Sequence, residues 1–167
     1  MRLINKADIS VHKQISKSVK DITINQFVDD SQITDLLPLL GEKLYFDIQN
    51  NIANYTDLLN GVIYTYDGVS VEQPGLKKVL SLFVYARYIF HGTQTDTPFG
   101  YVEKQYQDGK QVNRINRKEI YTLNKQIAMQ YWEQVRDYLN RESENYPLWN
   151  AECSNPKRKF RLNKISI

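Results

Sequence analysis

The chain has 167 residues and a formal net charge of only +3; this length fits one domain, and so small a bias does not imply nucleic acid unless the charge is clustered. Leu, Ile, Val and Phe supply 47 residues, well above the level at which a chain cannot offset its ordering entropy and stays disordered. The single cysteine, Cys153, excludes an internal disulfide, and with only His12 and His91 there is no Cys/His cluster for zinc.

The opening residues Met1-Arg2-Leu3-Ile4-Asn5-Lys6 lack the apolar run and small-residue cleavage site of a secretory signal, so the expected compartment is the cytosol in which the chain is made. The longest apolar stretch, 79–90, is about half a membrane span and is interrupted by Ser81 and Arg87. It predicts a core helix, and no membrane partner is expected.

Taken in order, Asp8 is placed to cap a short helix with Ile9, Ile15, Val19 and Ile22 near helical spacing. Next, Ile33, Leu36, Leu37, Leu40, Leu44, Ile48 and Ile52 form one stripe at helical period. Pro38 and Gly41 fall inside that stripe, so the helix either kinks there or starts near Thr34 with Pro38 in its first turn. The β-branched and aromatic run Val62-Ile63-Tyr64-Thr65-Tyr66, followed by Asp67-Gly68, predicts a hairpin returning through Val71. Pro74-Gly75 then introduces a helix from Leu76 to His91 that Gly92 is placed to stop; ten of the twelve residues in 79–90 are apolar or aromatic, so it must be central.

A second Asp-Gly pair, Asp108-Gly109, lies between 101–106 and 110–112 and suggests another hairpin or loop. The last long helix is expected to begin near Asn116, with Glu119 three residues on, and to run to about Glu142 with Ile120, Leu123, Ile127, Tyr131, Val135 and Tyr138 on its apolar face. From Tyr146-Pro147 onward the periodicity disappears, and Asn155-Pro156 precedes a basic, alternating end. The fold class is therefore mainly α: a small helical bundle with one or two hairpins and an extended C-terminal arm. Residues 1–21 form an N-terminal segment with a short helix, 22–146 the core, and 147–167 the arm.

No G-x-G-x-x-G, G-x-x-x-x-G-K-[ST] or G-x-S-x-G is present, and the seven glycines stand far apart. Cys153 lies in the irregular tail with nothing to place a base beside it, and His91 in a helix's last turn suits the dipole better than proton transfer. Asp29, Asp30 and Asp35 are neighbours along the chain rather than converging cation ligands, and read as acids at a helix start. No catalytic residue, metal ligand or cofactor site is expected, and the chain does not read as an enzyme.

The C-terminal run is the unusual feature, with Lys157, Arg158, Lys159, Arg161 and Lys164 placing five positive charges in eight residues. One reading is contact with DNA, where each neutralised phosphate releases counterions and Phe160 could stack. A second is strand addition to a partner protein, with Phe160 and Leu162 on one face of an extended chain and Arg161 and Asn163 on the other. The third is a solvated tail. At ~3.3 Å per residue, 147–167 would reach about 70 Å, beyond the width of a domain this size. The candidate partner-binding residues are Trp149, Lys157, Arg158, Lys159, Phe160, Arg161 and Leu162.

Several stretches together resemble a known family. They are Asp35-Leu36-Leu37-Pro38-Leu39-Leu40-Gly41-Glu42-Lys43-Leu44-Tyr45, Pro74-Gly75-Leu76-Lys77, Tyr85-Ala86-Arg87-Tyr88, Thr97-Pro98-Phe99-Gly100-Tyr101-Val102-Glu103-Lys104 and Ala128-Met129-Gln130-Tyr131-Trp132. In order and pattern, over about residues 21–148, they are similar to the head–tail connector (adaptor) proteins of tailed bacteriophages, nearest in flavour to those of phages of Bacteroides-like hosts, including crAss-like phages. The resemblance implies a structural virion protein at the head–tail junction. It would be a homo-oligomeric ring, commonly twelvefold, that binds the portal, completes the DNA-filled head and docks tail or further connector proteins, with no catalytic residues. The basic arm and the Asp108-Gly109 loop depart from the family pattern. The alternative from another class is a helical DNA-binding or packaging-associated phage protein that uses the arm.

Overall fold

The computed structural model describes residues 1–92, 94–97, 100–103 and 113–149. The fold is mainly α, with two small antiparallel hairpins.

Asn5 starts the first helix, α1 (Lys6–His12): its side chain accepts from the Ala7 and Asp8 N–H groups, while the Asp8 carboxylate accepts from the Asn5 N–H at 2.8 Å. The cap is thus Asn5, and Asp8 closes the box from the third helical position. The helix also ends sooner than expected, because Lys13 turns extended and α2 (Asp21–Ser31) starts afresh. Ile9 and Ile15 are buried on either side of that break, whereas Ile22 is exposed. Leu3, Ile4, Ile9 and Ile15 join the same apolar core as the later helices, so the N-terminal segment packs as part of one body.

α2 leads into a π-helical turn, Gln32–Leu36, and then α3 (Leu37–Leu40). The widened turn accommodates Pro38, which has no N–H to donate and whose ring would press on the carbonyl four residues back in a regular helix. Gln32, buried in that turn, accepts from the Leu3 N–H at 2.6 Å and donates to the Met1 carbonyl at 3.1 Å, tying down the N-terminus. The break in the long stripe comes at Gly41, whose φ of 77° separates α3 from α4 (Glu42–Asn50). Leu36, Leu40, Leu44 and Ile48 are fully buried, but Ile33 is exposed. A 3₁₀ turn (Ile52–Tyr55) and α5 (Thr56–Asn60) follow.

Strands β1 (Val62–Tyr66) and β2 (Val69–Gln73) form the expected first hairpin. α6 (Leu76–His91) is the central helix, burying Leu76, Val79, Leu80, Leu82, Phe83, Val84 and Ala86. α7 (Arg114–Arg141) runs antiparallel along it: Phe90 near the end of α6 packs on Tyr121 near the start of α7, and Lys78 lies 4.1 Å from the Tyr131 ring.

The cap of α7 is Asn113, which accepts from the Asn116 N–H at 2.8 Å, rather than Asn116 itself. Val135 and Tyr138 are buried as expected, but nearer the start of the helix the buried face is turned, with Asn124, Ala128 and Trp132 inside and Leu123 exposed. Between α6 and α7, β3 (Gln94–Thr97) pairs with β4 (Gly100–Glu103). The segment beginning at Gly100 therefore pairs upstream, whereas the expectation paired 101–106 with 110–112. Asp108-Gly109 and the expected downstream partner lie outside the described residues. Among the described residues no helix is long and apolar enough to cross a membrane.

Candidate assembly surface at the hairpin and chain exit

The β1–β2 hairpin turns through Asp67 and Gly68, both at positive φ (48° and 76°), as a two-residue turn of the hand that matches strand twist requires. In such a hairpin, cross-strand pairs alternate between those that exchange both N–H···O bonds and those that exchange none. The pair flanking the turn, Tyr66 and Val69, is bonded, as are Tyr64 with Val71 and Val62 with Gln73. Ile63 and Thr65 consequently turn their backbone N–H and C=O groups to the outside of β1, away from β2. The Ile63 side chain is 68% exposed, and Val69 and Tyr66 at the tip are also exposed.

The base of this hairpin is rigid. Buried Gln73 donates to the Asp57 carbonyl at 2.5 Å and accepts from the Gly75 N–H at 2.8 Å. Gly61 and Gly75, both at positive φ, sit back to back, and a Cβ on Gly75 would lie 2.6 Å from the Leu59 carbonyl oxygen.

One face of the hairpin rests on an aromatic seam. Tyr64 packs edge-on against Tyr138 (4.9 Å between centroids), Tyr138 against Tyr146 (5.7 Å) and Tyr55 against Tyr146 (6.1 Å). The Tyr138 and Tyr146 hydroxyls share a hydrogen bond at 3.1 Å, and the Tyr55 hydroxyl donates to the Asp47 carboxylate. Burial raises the pKa of Tyr138 and Tyr146; burial and the bond to Asp47 push Tyr55 up to about 12. From the last turn of α7, Arg141 donates to the Tyr64 hydroxyl at 2.7 Å and lies 4.0 Å from the Tyr66 ring, fixing the outer half of β1. Sequence reading missed this clamp; its only signal was a cation in the last turn of a long helix.

Beyond α7 the chain folds back. Trp149 is buried, sits edge-on to Trp132 at 6.1 Å and donates from Nε1 to Asn140 at 2.8 Å. This corrects its expected role as an anchor on another molecule: the indole is held by its own subunit because α7 offers an aromatic ring and an amide oxygen two turns apart, matching the apolar body and polar tip of tryptophan. Any arm therefore starts after Trp149, not at residue 147. The other candidate partner-binding residues, Lys157, Arg158, Lys159, Phe160, Arg161 and Leu162, lie outside the described residues, as does Cys153.

The acidic residues read as a helix start are placed otherwise. Asp29, near the end of α2, holds Arg2 through two bonds of 2.7 Å. Asp35, in the π turn, holds Arg87 at 2.8 Å and Lys125 at 3.0 Å. Burial alone would lower the pKa of Lys125, but the hydrogen bond and charge of Asp35 outweigh it and raise it. His91, at the exposed end of α6, packs on Phe90 and Phe27. Among the described residues no three His, Cys, Asp or Glu side chains gather where a metal ion could be held.

Residues 36–159 match DUF6712, a family of unknown function. The chain belongs to that family. The DUF6712 region takes in the hairpin, both long helices, the aromatic seam and Trp149, and ends within the basic run at Lys159. No curated protein and no solved structure matches the chain.

Proposed function

We propose that this DUF6712 protein is a structural subunit of a homo-oligomeric ring, the head–tail connector of a tailed phage, seated between portal and tail in the virion. The observation that carries the reading is the β1–β2 hairpin, with one face packed and the other exposed. Arg141 and the tyrosine seam brace its inner face, while Ile63 and Val69 remain exposed and its two outer edges carry backbone groups that point away from the hairpin. Rigid presentation of an unpaired edge suits strand-mediated assembly, because an exposed edge otherwise invites uncontrolled pairing. The five cations within residues 157–164 add a charged element that can meet an acidic neighbour or DNA. The resemblance of the helical stretches to phage connectors supplies the biological setting.

The test is to mix the purified chain with its cognate portal and follow size by analytical ultracentrifugation and shape by electron microscopy. Closed rings bound coaxially to the portal are expected. A monomer that ignores the portal at every ionic strength overturns the reading. If that monomer instead binds DNA with an affinity falling steeply with salt, the packaging-associated alternative replaces it.

A further inference from the structure

We infer that the outward edge of β1, at Ile63 and Thr65, is the acceptor for residues 157–163 of a second copy of this chain, which add to the hairpin as a third strand. The inference rests on the ring-subunit reading and names the contact that links its subunits.

The acceptor is built for one more strand. β1 and β2 form a two-stranded sheet, and of its two outer edges the one on β1 lies beside exposed Ile63, whereas the one on β2 lies beside Ser70 and Glu72. At that edge the backbone groups of Ile63 and Thr65 form no hydrogen bond among the described residues. Two outward residues in alternate positions offer two donors and two acceptors, the pattern an incoming strand reads. Ile63, beside them, presents an apolar side chain on the outer face, while Arg141 contacts both Tyr64 and Tyr66.

The donor follows from composition and chain length. Lys157 to Asn163 alternates so that Phe160 and Leu162 would share a face with Ile63, replacing water on a side chain now largely exposed. Its four cations complement the carboxylates around the hairpin: Asp67 in the turn, Glu72 directly across from Ile63, and Asp57 and Glu142, which both act electrostatically on Tyr138 and Tyr146 at its base. The described chain ends on α7 at Trp149, and eight steps from there to Lys157 span at most about 27 Å. A neighbour in a ring brings its own segment to the open edge of β1, held at the local concentration a tether gives, and passing an identical element between protomers costs little.

Disulfide trapping in the full chain tests this. In a Cys153→Ser background, subunits carrying Thr65→Cys are mixed with subunits carrying Leu162→Cys, on the face that Ile63 and Thr65 share, and oxidised. A linked heterodimer on a non-reducing gel is expected, and a chain carrying both substitutions should give a ladder of linked multimers. Closure of that double variant solely within one chain, or no link at all, overturns the inference. Separately, Thr65→Pro removes an outward N–H without breaking a hairpin bond, since proline is tolerated on edge strands. It should abolish self-association while the helical circular dichroism persists; Ser70→Pro, on the opposite edge, should leave self-association intact. Rings that form on the portal without any trapped link would leave the connector reading standing and this contact refuted; failure to meet the portal would count against the connector reading whatever the gels show.

Discussion

Arg87 and Asp35, 52 residues apart, meet through two guanidinium nitrogens on one carboxylate oxygen, at 2.8 and 3.1 Å, while Lys125 takes the other oxygen at 3.0 Å. One carboxylate in the π turn thereby binds both long helices. Its side chain is only 7% exposed. Asp35→Ala leaves two cations without their counter-charge, and a loss of about 2–3 kcal/mol is expected, below the full figure for a buried pair because water reaches both partners. Lys125→Met, which removes the more exposed partner, should cost under about 1 kcal/mol. Urea denaturation followed by circular dichroism separates the two; equal losses would show that the carboxylate is not the shared hub.

Two glycines at positive φ make a matched pair for a backbone test. Gly75 faces the Leu59, Asn60 and Gly61 backbone at 2.6 Å from where a Cβ would stand, whereas a Cβ on Gly68 would meet nothing within 4 Å. Gly68→Ala should therefore cost only the conformational strain, about 1 kcal/mol. Gly75→Ala adds a collision with backbone that cannot move without opening the hairpin base, and should cost at least about 3 kcal/mol. Thermal melts of the two variants should differ accordingly.

How far the sequence alone could lead is clearest at these same positions. Asp67-Gly68 announced the hairpin because only a few residue types accept its backbone angles, and 76–91 announced a central helix because no face of it is polar. The π turn was not legible: Pro38 signals a disturbance, but whether the chain kinks, stops or widens depends on what packs around it, here the Gln32 clamp on the N-terminus. The face of α7 was misjudged at Leu123 and Asn124, adjacent residues 100° apart on the helix, of which the asparagine is buried and the leucine exposed. The candidate surface was half legible. Alternation marked 62–66 as a strand, but that Arg141 and Tyr138 would brace it depends on contacts more than 70 residues apart.

The tyrosine seam sets an alkaline limit. Tyr55, Tyr138 and Tyr146 all hold their protons more tightly in the folded chain than the ordinary value of 10. Between pH 10 and about 12 the unfolded chain therefore loses protons that the folded chain keeps, and stability present below pH 10 falls as pH rises through that window. Tyr55→Phe removes one of the raised groups and should flatten the decline. Stability measured by urea unfolding at pH 9, 10 and 11 checks the sign; a slope identical to that of the unaltered chain would exclude Tyr55 as a contributor.

Trp149 is the last described residue and is held on α7. Its ring is buried on Trp132 and its N–H is bonded to Asn140. Trp149→Ala should cost about 3 kcal/mol, the low end for a buried tryptophan because the site lies at the edge of the core. Trp149→Phe and Asn140→Ala should each cost about 1 kcal/mol, and the double change little more than either alone, since both remove the same hydrogen bond. At concentrations where the protein is monomeric, a chain cut after residue 150 should keep the melting temperature of the full chain, whereas one cut after residue 145 loses Tyr146 from the seam and Trp149 from Trp132 and should melt well below it. If both truncations melted alike, the turn at 142–149 would contribute nothing, and the arm would begin at the end of α7.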